Sequence, residues 1–198
     1  MSNLVLKVAL AVLVVMLGAV FFWQPLKMVM SGARATYDFV LQTADGPLDT
    51  KNMRGKVLAI VFGYADCGER CAGNLAATVN AYGSLNAAER DQVQMILVSV
   101  DPEHDTPVRI GEYAKRIHPA LRGATGKPEE VKEVADAFGA DYKTLAPKDG
   151  AIFIELRPLT FIVAADGRFI SVLNAGIPVE KAAAAMRAGL ARVAPPAR

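Results

Sequence analysis

Residues 57–75 read VLAIVFGYADCGERCAGNL, and the fold turns on this stretch. Its first eight residues, 57–64, form a continuous apolar run rich in β-formers, the pattern of a strand buried on both faces. Helical periodicity follows from about residue 71 to 85, so the chain passes from a buried strand into a helix within a few residues. Cys67 and Cys71, the only two cysteines of the 198 residues, lie at that transition. A helix N-terminus carries a positive partial charge, which stabilises a thiolate. Arg70 adds to that charge in the sequence, while Asp66 and Glu69 oppose it. The i, i+4 spacing predicts both sulfurs on one helix face, one turn apart, within reach of a disulfide or of one soft metal ion. An inert cross-link over so short a loop would stabilise by only about 2 kcal/mol and would pin nothing remote. The expectation is therefore a reactive pair, with Cys67 as the nucleophile.

The pattern on either side repeats the alternation. Residues 94–100 (QMILVSV) and 159–164 (LTFIVA) are further apolar strands, and Ala165-Asp166-Gly167 turns the second into a hairpin with 168–173. Helices are expected over 108–117, 129–138 and 179–193, with Asn86-Ala87-Ala88-Glu89 as a capping box and Pro178 at a helix start. Asp45-Gly46 marks an earlier hairpin. The order β-α-β-α-α-β-β-α predicts an α/β protein with a central mixed sheet, thioredoxin-like in arrangement. No G-x-G-x-x-G or G-x-x-x-x-G-K-[ST] follows any strand, which argues against a nucleotide-binding alternative.

Composition narrows the remaining classes. Two Cys and 2 His exclude a disulfide-stapled mini-protein and any Cys-rich zinc module, since zinc takes four ligands. Residues 4–23 (LVLKVALAVLVVMLGAVFFW) are apolar except for Lys7, long enough to cross a bilayer, and end in an aromatic cluster at Phe21, Phe22 and Trp23. Ala33-Arg34-Ala35 has the form of a signal-peptidase site but lies some ten residues beyond the run, so an uncleaved anchor is expected. The chain thus divides into an N-terminal transmembrane helix with a short linker (1–35) and an exported domain (36–198). The domain keeps 19 Lys+Arg against 20 Asp+Glu, a balance that points to no nucleic-acid partner.

The segments FGYADCGERCAGNL and ILVSVDPEHDTP together resemble the SCO/SenC family. Gly55-Lys56-Val57, Glu112-Tyr113-Ala114, Thr125-Gly126 and Asp166-Gly167-Arg168 add to the similarity, which covers residues 38–173. The resemblance implies a membrane-anchored thioredoxin fold, facing the periplasmic-type side, that takes part in assembling the copper site of cytochrome c oxidase. It implies copper as the cofactor, held by Cys67, Cys71 and a distant His. That His stands ten residues before the Asp of the D-G turn, where this chain has Leu156. The family's Pro after each Cys is replaced by Gly68 and Ala72. Residues 157–162 (RPLTFI), eight residues from Pro158 to Asp166, are instead similar to the P-T-T-F-L-I-D-x-D-G pattern of anchored thiol-disulfide reductases, in which the Pro is cis beside the cysteines.

These departures favour dithiol exchange by Cys67, Cys71 and Pro158 on a protein client that bears thiols or a copper site. The alternatives are a Cu(I) carrier using the two thiolates alone and a tethered adaptor with an inert disulfide. His104, inside SVDPxxDTP, is the one candidate to replace the missing ligand, and His118 is expected at the surface.

Overall fold

The computed structural model describes residues 36–148 and 151–192, so the expected membrane helix and its linker lie outside the described residues. Among the described residues no helix is long and apolar enough to cross a membrane. The chain opens with a hairpin of β1 (Val40–Thr43) and β2 (Gly46–Asp49). Strand β3 (Val57–Gly63) is buried along its whole length, as its unbroken apolar run demands. It is followed by a 3-10 turn at Ala65–Cys67, helix α1 (Glu69–Gly83), helix α2 (Ala87–Asp91) and strand β4 (Val93–Ser99). Helix α3 (Pro107–Ile117), β5 (Leu121–Ala124) and α4 (Pro128–Phe138) come next. A hairpin of β6 (Tyr142–Lys148) and β7 (Ala151–Leu156), then β8 (Leu159–Val163), β9 (Phe169–Asn174) and α5 (Val179–Leu190), complete the order.

The main sheet has the order β5-β4-β3-β8-β9. β4 runs parallel to β3 and β5, whereas β8 is antiparallel to both β3 and β9, which gives the expected mixed sheet. Alternate residues of a strand face opposite ways, and β3 shows how each face is covered. A Cβ on Gly189 of α5 would meet Val57, and one on Gly63 would meet Cys71, so the odd-numbered face lies under α5 and α1. On the other face Phe62 packs at a tilt against Phe138 of α4 and edge-on against Phe161 of β8, at ring separations of 5.8 and 5.6 Å.

Several local expectations hold. Asn86 and Glu89 form the reciprocal capping box of α2, and helices α3, α4 and α5 begin within one residue of the expected positions. Three differences have physical causes. Helix α1 ends two residues early, at Gly83, where Ser84 folds its N–H back onto the preceding carbonyls. Strand β5 and the β6–β7 hairpin were not expected. β5 has only four residues, one of them Arg122, and β6 and β7 pair only with each other, so none carries the signature of a doubly buried strand. His118 is half-buried rather than at the surface: its ring meets Tyr82 edge-on at 5.5 Å, and its Nδ1 accepts the Ala120 N–H at 3.0 Å.

Candidate functional site

Parallel strands β3 and β4 end side by side, and the Val100 N–H donates to the Gly63 carbonyl at 2.8 Å. The loops leaving both strands therefore emerge at the same end of the sheet, where such folds place their ligands. The loop after β3 carries the two cysteines, which form a disulfide with Cα atoms 5.7 Å apart. Both residues are buried, Cys67 at 3% and Cys71 at 2% exposure.

The pair does not share one helix face. Cys67 closes the 3-10 turn, Gly68 breaks the chain direction at φ 61°, ψ −142°, and the helix starts only at Glu69. Cys71 thus lies in the first turn of α1, while Cys67 stands before it. That backbone conformation is open to glycine and closed to proline, whose ring holds φ near −65°. The residue at position 68 and the shape of the loop are therefore one fact. Gly63 is the second glycine the site requires: a Cβ there would sit 3.3 Å from the Cys71 sulfur and 3.2 Å from Leu97 Cδ1.

The disulfide lines an open pocket of about 150 Å³ together with Phe153, Ile154, Glu155, Leu156 and Pro158. The β6–β7 hairpin supplies most of this wall, and the Tyr64 hydroxyl accepts the Ile154 N–H at 3.4 Å, joining the hairpin to the residue before the cysteine turn. The sequence-derived residues Cys67, Cys71, Leu156 and Pro158 are all brought together here. The conformation of Pro158 is corrected: no cis peptide bond occurs among the described residues, so Arg157–Pro158 is trans. The X–Pro amide prefers trans by about 0.5–1 kcal/mol.

The loop after β4 explains the Asp-rich stretch. Asp105, 1% exposed, accepts the Ala65 N–H at 2.9 Å and the Ser99 hydroxyl at 2.6 Å, so it ties the cysteine turn to the end of β4. Arg109 on α3 donates to both carboxylate oxygens of Asp66 at 2.8 Å. Beneath the cysteine turn, Thr160 of β8 donates to Asn74 Oδ1 at 3.2 Å and pairs with the Thr78 hydroxyl at 2.8 Å, which anchors α1 on the sheet. None of these roles was read from the sequence, although the SVDPxxDTP stretch was its signal for Asp105.

His104 does not join the cysteines on the pocket wall. Its Nδ1 lies 2.7 Å from Asp101 Oδ1, and this hydrogen bond raises the imidazole pKa above its ordinary 6.5. Among the described residues no group of three His, Cys, Asp or Glu is placed to hold a metal ion. A third imidazole is not on this wall: Leu156 stands beside the sulfurs where the family resemblance implies a His, and Glu155 is the one carboxylate of the lining. What the site offers is a disulfide or, after reduction, two soft thiolates.

The family model described as SCO1/SenC matches residues 29–191. Protein SCO1 homolog 1, mitochondrial, of Arabidopsis thaliana is 31% identical over 133 residues, covering 67% of this chain and 40% of that protein. The chain therefore spans less than half the length of that relative. The apo Sco1 protein from Thermus thermophilus is 33% identical with TM-score 0.65, covering 79% of this chain and 88% of that one. The Bradyrhizobium japonicum ScoI structure with copper bound is 30% identical with TM-score 0.67, covering 79% and 100%. The α/β fold with a central mixed sheet is thus of the kind these thioredoxin-like proteins share.

Proposed function

The chain belongs to the SCO1/SenC family, and on that premise we propose that it is a membrane-anchored thiol–disulfide exchange protein serving assembly of a copper site such as that of cytochrome c oxidase. The observation that carries this reading is the wall of the pocket: the disulfide faces Leu156, Ile154, Phe153 and Pro158, a largely apolar surface suited to a polypeptide, with Glu155 its one charged member and Leu156 where the family resemblance implies a His. The apolar run over 4–23, long enough to cross a bilayer, is the proposed anchor, and the domain from residue 36 is placed by this reading on the exported side, where disulfides persist.

In the dithiol form the Cys67 thiolate attacks one sulfur of a client disulfide. The client S–S bond breaks, its second sulfur leaves as a thiolate, and a mixed disulfide joins client to Cys67. Cys71, held in the first turn of α1, gives up its proton and attacks the Cys67 sulfur, releasing the client's first thiolate. The client gains two electrons and two protons, and the protein is left with the disulfide described above. A dithiol-bearing partner resets the pair by the reverse chemistry. Leu156 and Pro158 shape the client's approach, and Gly63 leaves room for the Cys71 sulfur.

The test is a trapping reaction. Cys71→Ser, incubated with a disulfide-bonded peptide, is expected to accumulate a mixed disulfide at Cys67 that mass spectrometry detects. Cys67→Ser should accumulate none at Cys71, which the proposed order makes the resolving cysteine. Equal trapping at both positions would remove the assigned order of attack, and trapping at neither would remove the exchange reading. A second reading, Cu(I) as cargo on the two thiolates, draws on the soft donor pair and on the copper-bound structure of the Bradyrhizobium relative.

A further inference from the structure

Helix α3 reaches back to the cysteine loop through one side chain. Arg109 Nη2 donates to both oxygens of Asp66, each at 2.8 Å, and Asp66 is the residue immediately before Cys67. Arg109 Nη1 donates to the His104 carbonyl at 3.2 Å and lies 3.4 Å from Asp105 Oδ1. The guanidinium therefore stands between two carboxylates, one buried and one 71% exposed, that belong to the two loops bounding the site. Thr106 fixes where α3 begins by accepting the Arg109 N–H on its side chain at 3.2 Å, which sets the starting point of the arginine's reach.

An exposed ion pair of this kind adds little to stability. Its position gives it another consequence. Asp66 immediately precedes Cys67 in the same 3-10 turn, so it puts a negative charge on the turn whose sulfur must become a thiolate, and a like charge disfavours that form. Glu69 and the pocket-wall Glu155 carry the same sign, whereas Asp101 is engaged by His104. Among the described side chains, Arg109 is the cation seen in contact with the cysteine loop's own carboxylate. Tyr113, one turn further along α3, is partly buried, and that burial raises its pKa above the ordinary 10, so it adds no charge near neutrality.

We propose that Arg109 is a positioning residue for the exchange reaction: by clamping Asp66 it holds the turn that presents Cys67 and cancels the carboxylate charge beside that sulfur. The inference rests on the thiol-exchange reading and adds a determinant of Cys67 reactivity that lies on a different helix. It also gives Asp66 a role. The acidic residue supplies the handle by which the loop is tied down, and the arginine removes the electrostatic cost of having it there.

The experiment follows alkylation of reduced Cys67 by iodoacetamide across pH, on the full chain in detergent with Cys71→Ser. In Arg109→Gln the pH profile is expected to move upward, so that the rate near neutrality falls about three- to tenfold. Arg109→Lys should recover much of the rate, and Asp66→Asn with Arg109→Gln should return the profile to that of the parent. Asp66→Asn alone, which leaves the cation unpaired beside the loop, should move the profile downward. A merely structural clamp would change the rate equally at all pH values and would not be repaired by removing Asp66. Profiles of Arg109→Gln and Asp66→Asn that both superpose on a reactive parent would overturn the inference alone. A parent Cys67 that resists alkylation at every pH would overturn the inference together with the exchange reading on which it rests.

Discussion

The Asp105 carboxylate accepts the backbone N–H of Ala65 at 2.9 Å across 40 residues of sequence, and its Oδ2 also takes the Ser99 hydroxyl proton at 2.6 Å. One buried side chain thus fixes the cysteine turn to the end of the neighbouring strand. Asp105→Ala leaves the buried Ser99 hydroxyl and the part-buried Ala65 N–H without their acceptor, the buried one alone a loss on the order of 1–3 kcal/mol. Chemical denaturation should show that loss, and Asp105→Asn, which keeps one acceptor, should lose less. A variant as stable as the parent would mean that the tie contributes nothing.

Gly68 tests the shape of the loop. Its φ of 61° with ψ −142° lies in a region that residues with a Cβ rarely occupy, and no atom stands within 4 Å of where that Cβ would be. The penalty for Gly68→Ala is therefore backbone strain alone, about 1–3 kcal/mol. At roughly 2–4 °C per kcal/mol for a domain of this size, the melting temperature should drop by several degrees. Gly68→Pro, locked at negative φ, should fall further and should impair closure of the disulfide.

His104 gives the molecule a pH dependence of known sign. The hydrogen bond to Asp101 favours the protonated imidazole, so the folded pKa stands above 6.5, the ordinary value. The resulting stabilisation is fully present below 6.5 and is lost as pH rises through the raised value. The side chain is exposed, so the effect is small and is best read by NMR titration of the ring. Asp101→Asn should bring the midpoint back toward the ordinary value, and an unchanged midpoint would refute the assignment.

Leu156 separates the two readings of the sulfur pair. It shares the pocket with both cysteines, so Leu156→His would place an imidazole on the same wall. Reduced Leu156→His should bind copper at least tenfold more tightly than the parent in competition with a chelator, a gain of about 1.4 kcal/mol or more. Equal affinities would mean that the parent already holds copper through other groups, and the cargo reading would gain.

The elements that make up the centre of the sheet were legible because burial on both faces leaves unbroken apolar runs, as in Val57–Gly63 and Leu159–Val163. Tyr142–Lys148 and Ala151–Leu156 escaped because a two-stranded hairpin outside the main sheet imposes no such run. At the site, Cys67 and Cys71 were visible as residue types at a telling spacing, and Leu156 and Pro158 through the resemblance to known families. Asp105 and Arg109 were not visible as partners of the cysteine loop, since their contacts join residues 40 and 43 apart and depend on how β3 and β4 align. The helix register of the cysteines was misjudged for a local reason, the positive φ of Gly68, which periodicity alone does not reveal.

The most direct test of the central claim is the reduction potential of the Cys67–Cys71 pair, obtained by equilibrating the full chain in thiol–disulfide buffers with and without one equivalent of Cu(I). Dithiol exchange with a client predicts a reversible couple above about −300 mV that stays near the same value when copper is added. A couple below about −300 mV that does not react with small thiols would identify an inert structural bond. A large displacement of the couple by Cu(I) would assign the pair to metal carriage, and either result would contradict the account.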